Sequence, residues 1–211
     1  VYADHAPAAC AALQALAGGS TDPAVAVGTV EQSGRVAMLF TGQGSQQAGM
    51  GQGLYDAFPK FRGALDEVAA ALDEHLTQPI LSVMFAEDGS PVGAKLHETE
   101  YTQPALFALE VALARLWESM GIVPALVMGH SVGELSAAHV AGVLDLKDAA
   151  KLVCARGRLM QACEQGGAMV SVAADERTVR DAIEGKEVSI AAFNGPNQTV
   201  ISGDREAVEG V

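Results

Sequence analysis

Aromatic and charged residues are scarce in this sequence, and it contains no long apolar runs. Aromatic side chains make up 5% and charged side chains 18% of the 211 residues, whereas 49% are hydrophobic. This apolar share is large enough to bury a core, which must consist mainly of Ala, Val and Leu. No uninterrupted apolar run approaches the roughly 20 residues that a membrane-spanning helix requires. The composition therefore predicts a globular chain without a membrane partner.

Basic residues are also few, and their scarcity restricts the possible partners. Lys and Arg number 13 against 26 Asp and Glu residues, which gives a formal net charge of −13. Because no basic stripe offsets the repulsion of phosphates, we expect no nucleic acid partner. The first basic residue is Arg35, so the charged segment typical of a secretory signal is not seen.

Cysteine is represented by Cys10, Cys154 and Cys163 alone, without a Cys-x-x-Cys pair. Three such cysteines do not form a disulfide framework and are typical of reduced thiols in a cytosolic protein. The five histidines show no metal-ligand spacing. We therefore predict a cytoplasmic location and no metal site.

The chain divides into three parts. Residues 1–34 have the character of a connector from a preceding domain, with a short alanine-rich helix at residues 6–16 followed by glycines and a proline. Residues 35–165 alternate strand and helix patterns, which is typical of an α/β fold. Residues 166–211 give the order β-α-β-β-α, a split βαβ, ferredoxin-like unit that lacks its last strand.

Helical periodicity is clear in three segments of residues 35–165. The first runs over residues 58–76, the second starts at Thr102-Gln103-Pro104 with the proline in its first turn, and the third runs from Asp145 to about Cys163. The type of the apolar segment at residues 80–85 stays open. The predicted core positions of the first and third helices are Phe61, Leu65, Val68, Leu72, Leu76, Leu146, Ala149, Leu152, Val153 and Leu159.

The glycine-rich loop at residues 41–47 follows an apolar strand pattern at residues 36–40. It contains neither Gly-Lys-Ser/Thr nor Gly-x-Gly-x-x-Gly, so the sequence does not indicate a phosphate cradle. The other interpretation is a loop that brings backbone N–H groups close to a reacting centre.

The most informative segment is Gly129-His130-Ser131-Val132-Gly133-Glu134. An apolar run at residues 123–128 precedes it, and a helical pattern from residue 132 to about 144 follows it. Strand, Gly-x-Ser-x-Gly turn and helix in this order are typical of a nucleophile elbow, which lifts the serine hydroxyl off a parallel sheet. The helix directs its N–H groups and the positive end of its dipole to the same place. We therefore predict that Ser131 is a nucleophile that accepts an acyl group.

Five motifs occur in an order and at a spacing that a known family shares. They are Gly42-Gln43-Gly44-Ser45-Gln46, Tyr101-Thr102-Gln103-Pro104-Ala105-Leu106, the Ser131 segment, Arg156-Gly157-Arg158-Leu159-Met160-Gln161 and Asn194-Gly195-Pro196. Over residues 36–211 the chain resembles the acyltransferase family, which comprises malonyl-CoA:acyl-carrier-protein transacylases and the acyltransferase domains of modular polyketide synthases. The resemblance implies an α/β-hydrolase-like large subdomain with an inserted ferredoxin-like small subdomain. In the family the large subdomain resumes after the small one, so we expect a domain truncated at its C-terminal end.

The resemblance also implies the reaction. Ser131 would attack an acyl-CoA thioester, and the acyl-enzyme would pass a malonyl-type group to the phosphopantetheine thiol of an acyl carrier protein, with ping-pong kinetics. Malonyl-CoA is the implied substrate, and the domain itself would bind no cofactor. The connector at residues 1–34 favours the polyketide synthase branch, in which a ketosynthase domain precedes the acyltransferase on the same polypeptide.

Individual roles follow from the matched motifs. The oxyanion would be bound by the backbone N–H groups of Val132 and Gln43, which a glycine-rich loop beside an elbow can present. Arg156 would bind the free carboxylate of the malonyl group, since a guanidinium matches a carboxylate with two prongs. Gln103 and His130 are the other implied substrate-binding residues.

The general base is not matched by any motif in the chain. Adjacent residues on a sharp elbow point apart, so His130 is expected to line the pocket rather than act on Ser131. The family's base is a histidine after the ferredoxin-like unit, and we expect it beyond Val211. Val132 and residues 98–103 look like the malonyl branch, which favours malonyl over methylmalonyl. Two alternatives remain open: a serine hydrolase of thioesterase type that uses the same elbow, and a non-catalytic megasynthase fragment.

Overall fold

A computed structural model describes residues 1–28, 34–163 and 166–211. The predicted boundary at residue 165 lies outside these residues. The helices are α1 (Ala6–Ala17), α2 (Gln52–Ala57), α3 (Pro59–Asp73), α4 (Ile80–Met84), α5 (Thr99–Ser119), α6 (Gly133–Val140), α7 (Leu146–Gln161), α8 (Glu176–Ile183) and α9 (Arg205–Glu209), with a 3₁₀ helix at Gly93–His97. The strands are β1 (Ala37–Phe40), β2 (Leu126–Gly129), β3 (Gly167–Val172), β4 (Val188–Gly195) and β5 (Gln198–Asp204).

The chain forms two compact units. The smaller one comprises Val1–Ala37 and Pro124–Leu126 and contains the predicted short helix, α1. The His5 ring caps that helix, because its Nδ1 accepts a hydrogen bond from the Ala8 N–H at 3.2 Å. Among the described residues, none of the helices combines the length and the apolar character that crossing a bilayer demands.

The larger unit comprises Met38–Val123 and Val127–Val211. Its main core joins α3, α5 and α7. Four of the five predicted core positions at residues 58–76 are confirmed, since Phe61, Leu65, Val68 and Leu72 are fully buried. The helix is shorter than predicted, because it ends at Asp73, and Leu76 lies after it and is only partly buried against the same core. The segment of uncertain type at residues 80–85 is the short helix α4, which adds Ile80, Val83 and Met84 to the same core. The helices α3, α4, α5 and α7 therefore share one apolar core.

Strands β1 and β2 pair with each other. The Ala125 N–H donates to the Val36 carbonyl at 2.8 Å, and the His130 N–H donates to the Phe40 carbonyl at 3.0 Å. Because these bonds advance in the same direction along both strands, the pair is parallel. Parallel pairing brings both carboxyl ends to one edge, where the glycine-rich loop follows β1 and the Ser131 turn follows β2.

The start of α5 differs from the sequence prediction. The helix begins at Thr99, and Pro104 lies inside it instead of in its first turn. The reason is a contact between helices: the Thr99 N–H donates to Oε1 of Gln161 from α7 at 2.6 Å. An N–H at a helix start needs such an acceptor, and here a residue distant in sequence supplies it.

The predicted core face of α7 is only partly correct. Ala149 and Val153 are buried, but Leu152 is 45% and Leu159 67% exposed. The buried side of this helix consists of small residues, Ala149, Ala150, Val153, Cys154 and Gly157. Small side chains allow α7 to pack closely on α5, so the two leucines lie on the opposite side of the helix.

Residues 167–209 follow the predicted order, β3-α8-β4-β5-α9. The three strands form an antiparallel sheet in which β5 lies between β3 and β4. Val179 of α8, Val208 of α9 and Ile201 of β5 form the core of this part. The turn between β4 and β5 places Asn194 near the end of β4, where it contacts the candidate site.

At Gly157, α7 lies against the backbone of α5, and the structure predicts what a side chain would do there. A Cβ at residue 157 would lie 2.9 Å from the Thr99 carbonyl oxygen and 3.2 Å from the Glu100 Cα, both backbone atoms. We expect Gly157→Ala to lower the free energy of unfolding by about 1–3 kcal/mol, as overpacking does, measured by chemical denaturation.

Gly63→Ala on α3 is the matched control, because nothing lies within 4 Å of the position that a Cβ would take there and the residue is exposed in a helix. It should raise the free energy of unfolding by roughly 0.5–1 kcal/mol, the usual gain of alanine over glycine in a helix. Equal effects of the two substitutions would contradict the close packing of α7 on α5.

Candidate active site

Ser131 lies on the turn between β2 and α6 with a positive φ of 55°. It is the sole non-glycine residue with this conformation in the part of the chain that the structure describes. A left-handed backbone costs an L-residue about 1–2 kcal/mol, so the surrounding structure must hold it in place. The strained serine at the carboxyl end of a parallel strand is the geometry that the sequence predicts for a nucleophile elbow.

Two glycines allow this turn to close. A Cβ at Gly129 would collide with the backbone of Gly133 and Glu134, and a Cβ at Gly133 would lie 2.5 Å from the carbonyl oxygens of Phe40 and Thr41. Glu134 completes the turn, because its Oε2 accepts from the Gly129 N–H at 3.2 Å. The end of β2, the end of β1 and the start of α6 therefore meet with backbone against backbone.

The hydroxyl of Ser131 contacts Arg156. Nη2 of Arg156 donates to the Ser131 Oγ at 3.1 Å, and Nη1 donates to Oε1 of Gln103 at 2.6 Å. Gln103 is fully buried, whereas Ser131 is exposed and Arg156 half-buried. The structure thus brings three predicted residues together, and the buried amide fixes the direction of the guanidinium toward the serine.

Gln103 is held in turn by other side chains. Its Nε2 lies 3.2 Å from the Met160 Sδ and 3.5 Å from Oε1 of Gln43, and the Gln43 Nε2 donates to the Thr99 Oγ1 at 3.2 Å. The glycine-rich loop, α5 and α7 are therefore connected by one polar chain of contacts. Its charged end, Arg156, faces the serine.

The predicted oxyanion donors lie on the two loops that meet here. Neither the Val132 N–H nor the Gln43 N–H donates a hydrogen bond to any of the described residues. Val132 stands at the start of α6, where the positive end of the helix dipole adds to the attraction for an anion. A developing oxyanion requires N–H groups without other acceptors, and the roles of Val132 and Gln43 stay a prediction.

His130 does not contact Ser131. Its Nε2 lies 3.1 Å from the Asn194 Oδ1, and its Nδ1 lies beside Gly42, where a Cβ would approach to 2.7 Å. The ring is exposed and connects the elbow to the turn after β4. This position fits the prediction that His130 lines the pocket, and its role in substrate binding stays a prediction.

Glu110 is a functional candidate that sequence reasoning missed. The side chain is only 8% exposed; its Oε1 accepts from the Thr41 N–H at 2.7 Å and from the Thr41 Oγ1 at 2.9 Å, and its Oε2 accepts from the Ser136 Oγ at 2.6 Å. Burial raises the pKa of the Glu110 carboxyl, and the hydrogen bonds from Ser136 and Thr41 oppose the shift. The available signal was a lone acid four residues after Leu106 and three before Leu113, on the apolar face of α5.

Cys154 is a less suitable nucleophile than Ser131. Burial raises the pKa of the Cys154 thiol to about 12, so this thiol stays protonated at neutral pH. Within residues 1–28, 34–163 and 166–211, no group of three or more His, Cys, Asp or Glu side chains is arranged to hold a metal ion. The chemistry that this arrangement supports is attack by a serine hydroxyl, with two N–H groups for an oxyanion and one guanidinium for an anionic substituent.

Comparisons with known proteins place the chain among similar sequences and structures. The family model described as an acyl transferase domain matches residues 37–211. Polyketide synthase GfsA of Streptomyces halstedii is 54% identical over 200 residues, which cover 93% of this chain and 3% of that protein.

Solved structures show the same fold. The acyltransferase domain from the second module of the salinomycin polyketide synthase superposes with a TM-score of 0.86 at 50% identity, covering 99% of this chain and 48% of that one. A malonyl-transacylase solved in complex with a type II polyketide synthase acyl-carrier protein has a TM-score of 0.70 at 39% identity, covering 84% of this chain and 57% of that one. The chain thus has their α/β fold and spans about half the length of these structures.

The strained backbone at Ser131 leads to a stability prediction. Ser131→Gly and Ser131→Ala both remove the hydroxyl and its bond to Arg156, but only glycine adopts a positive φ without strain. We expect the glycine variant to be more stable than the alanine variant by about 1 kcal/mol, measured by chemical denaturation. An alanine variant of equal or greater stability would contradict the left-handed conformation of the elbow.

Proposed function

The chain belongs to the acyl transferase domain family, and from that premise we propose that Ser131 carries an acyl group from acyl-CoA to an acyl carrier protein. The observation that supports this most is the contact of Arg156 with Ser131, because a guanidinium can bind a carboxylate and a serine hydroxyl can act as a nucleophile. A malonyl thioester has both partners for this pair: a carbonyl carbon for the serine and a free carboxylate for the arginine.

The first half-reaction is an acyl transfer to the serine. The Ser131 Oγ attacks the thioester carbonyl carbon, a C–O bond forms, and the N–H groups of Val132 and Gln43 stabilise the oxyanion. The C–S bond then breaks, and coenzyme A leaves as a thiol after taking up the proton lost by the serine. Arg156 moves from the Ser131 Oγ to the malonyl carboxylate when the substrate enters.

The second half-reaction reverses these steps with another thiol. The phosphopantetheine thiol of the carrier protein attacks the seryl ester, the C–O bond to Ser131 breaks, and the proton returns to the serine. Among the described residues the Ser131 Oγ bonds to Arg156 alone, and a guanidinium stays protonated. In this proposal Arg156 therefore orients the serine and is not the general base.

The proposal extends to the substrate and to the surroundings of the domain. Malonyl is favoured as the acyl group, although one extra methylene changes binding by only about 1–3 kcal/mol. The carrier protein in complex with the similar malonyl-transacylase supports a carrier protein as acceptor.

The proposal also covers the organisation of the domain. We assign β1, β2 and their helices to an α/β-hydrolase-like subdomain and β3–β5 to a ferredoxin-like one. Residues 1–34 are assigned to a connector on the ketosynthase side.

The nucleophile is tested by intact-protein mass spectrometry of the native polypeptide that contains this chain. It is exposed in turn to malonyl-, methylmalonyl- and acetyl-CoA, with Ser131→Ala as the matched control. We expect a malonyl ester that is absent from the control and that disappears when a carrier protein with its phosphopantetheine arm is added. Loss of the ester to water at the same rate with and without the carrier would favour the hydrolase, and no ester with any donor would favour a non-catalytic fragment.

Arg156 is tested by comparing two donors. We expect Arg156→Ala to slow acylation by malonyl-CoA about 100-fold, since hydrogen bonds to a charged group contribute about 1.5–3 kcal/mol. Acetyl-CoA, which has no free carboxylate, should not be slowed. Arg158→Ala is the matched control, because Arg158 lies two residues further on the same helix, exposed and without an ion pair to the described residues. An equal loss of acylation rate with both donors would mean that Arg156 does not recognise the carboxylate.

A further inference from the structure

Glu110 has no part in the reaction steps above, yet it joins the two loops that carry them. Its carboxylate receives three hydrogen bonds, two from Thr41 at the start of the glycine-rich loop and one from Ser136 on α6. Thr41 lies two residues before Gln43, and Ser136 lies four residues after Val132. One buried side chain on α5 therefore contacts both segments that carry the predicted oxyanion donors.

The contact continues into the loop. The Thr41 Oγ1 lies 2.9 Å from the Ser45 Oγ, and since the Thr41 hydroxyl donates to Glu110, Ser45 is the donor in this pair. The Gln43 side chain is bound separately to Thr99. The loop is thus held at its first residue by Glu110 and at its middle by α5, while the Gln43 N–H stays without an acceptor among the described residues.

We propose that Glu110 is a positioning residue for the oxyanion site, whose carboxylate holds Thr41 and α6 together so that the Gln43 and Val132 N–H groups converge on one point. The inference rests on the proposed function. It assigns Glu110 no contact with the substrate. The residue acts through Thr41, and charge-assisted hydrogen bonds suit this task because they are shorter and roughly twice as strong as neutral ones.

A carboxylate at this position is not explained by stability. Glu110 borders an apolar pocket formed by Met38, Phe40, Leu113, Ala114 and Trp117, and burial raises the pKa of its carboxyl. The surroundings therefore disfavour the charged form relative to water, despite three donors. A neutral glutamine of the same shape could accept from the Thr41 N–H and donate to the Ser136 Oγ, so the fold alone does not demand a charge.

Glu110→Gln in the native polypeptide separates a role in stability from a role in positioning the oxyanion site, because it keeps the shape of the side chain and removes its charge. We expect the single-turnover rate of Ser131 acylation to fall about 10-fold or more, by comparison with the loss of an oxyanion donor, which costs about 100–1,000-fold. The malonyl-CoA concentration for half-saturation should change by less than about twofold, because Arg156 and Gln103 are untouched. The thermal midpoint should not fall. Malonyl- and acetyl-CoA should be slowed equally, since both pass through the same oxyanion.

Ser136→Ala is the control for the bond on the α6 side. It leaves both Thr41 bonds to Glu110 in place, so we expect a rate within about threefold of wild type, as for loss of one hydrogen bond of about 0.5–1.5 kcal/mol. A Glu110→Gln rate within about twofold of wild type would overturn the proposal. A change confined to half-saturation or to the thermal midpoint would overturn it as well.

These outcomes are distinct from failure of the proposed function. If wild-type protein forms no ester at Ser131 with malonyl- or acetyl-CoA, the acyl-transfer proposal fails and the positioning role fails with it. If wild type and Glu110→Gln form the ester at the same rate, acyl transfer stands and only the role of Glu110 is overturned.

Discussion

The site depends on one steric constraint, the backbone contact where β1, β2 and α6 meet. Because Gly129 and Gly133 have no side chains, the end of one strand and the start of the helix lie directly against each other. This contact leaves the chain between them too short for an ordinary turn, so Ser131 takes a left-handed conformation. This close contact of the backbones determines how exposed the serine hydroxyl is. It also determines the position of the Val132 N–H and the direction of the helix dipole.

Helix α5 carries the polar side chains that arrange the rest of the site. It is largely buried, and two of its buried polar residues, Gln103 and Glu110, lie seven residues apart, which is nearly two helical turns. Gln103 holds the guanidinium of Arg156, and Glu110 holds the loop that carries Gln43. A buried helix moves little, so the groups attached to it keep their geometry.

The sequence predicts those parts of the site that local pattern determines. Ser131, its glycines and the strand and helix around it are contiguous, and Arg156 is predicted from a motif that the chain shares with the family it resembles. Other contacts join residues that are far apart in sequence. Gln161 caps α5 at a residue 62 positions away, and His130 contacts Asn194, 64 positions away. Glu110 bonds to Thr41, 69 positions away, and to Ser136, 26 positions away. No local periodicity encodes such pairs. The error on α7 has a similar origin, since a leucine pattern does not reveal that the neighbouring helix packs against the small residues instead.

The partners of Arg156 among the described residues leave its positive charge unpaired. Arg115, Arg180 and Arg205 pair with glutamates, whereas Arg156 is bound among the described residues by a neutral amide and a hydroxyl. A neutral acceptor orients a guanidinium without cancelling its charge, so the field of the cation stays available for an incoming anion. This matters in a chain with a net charge of −13, whose overall field repels anions. One cation, half-buried and held by Gln103, can overcome that field locally because charges interact more strongly where water is partly excluded.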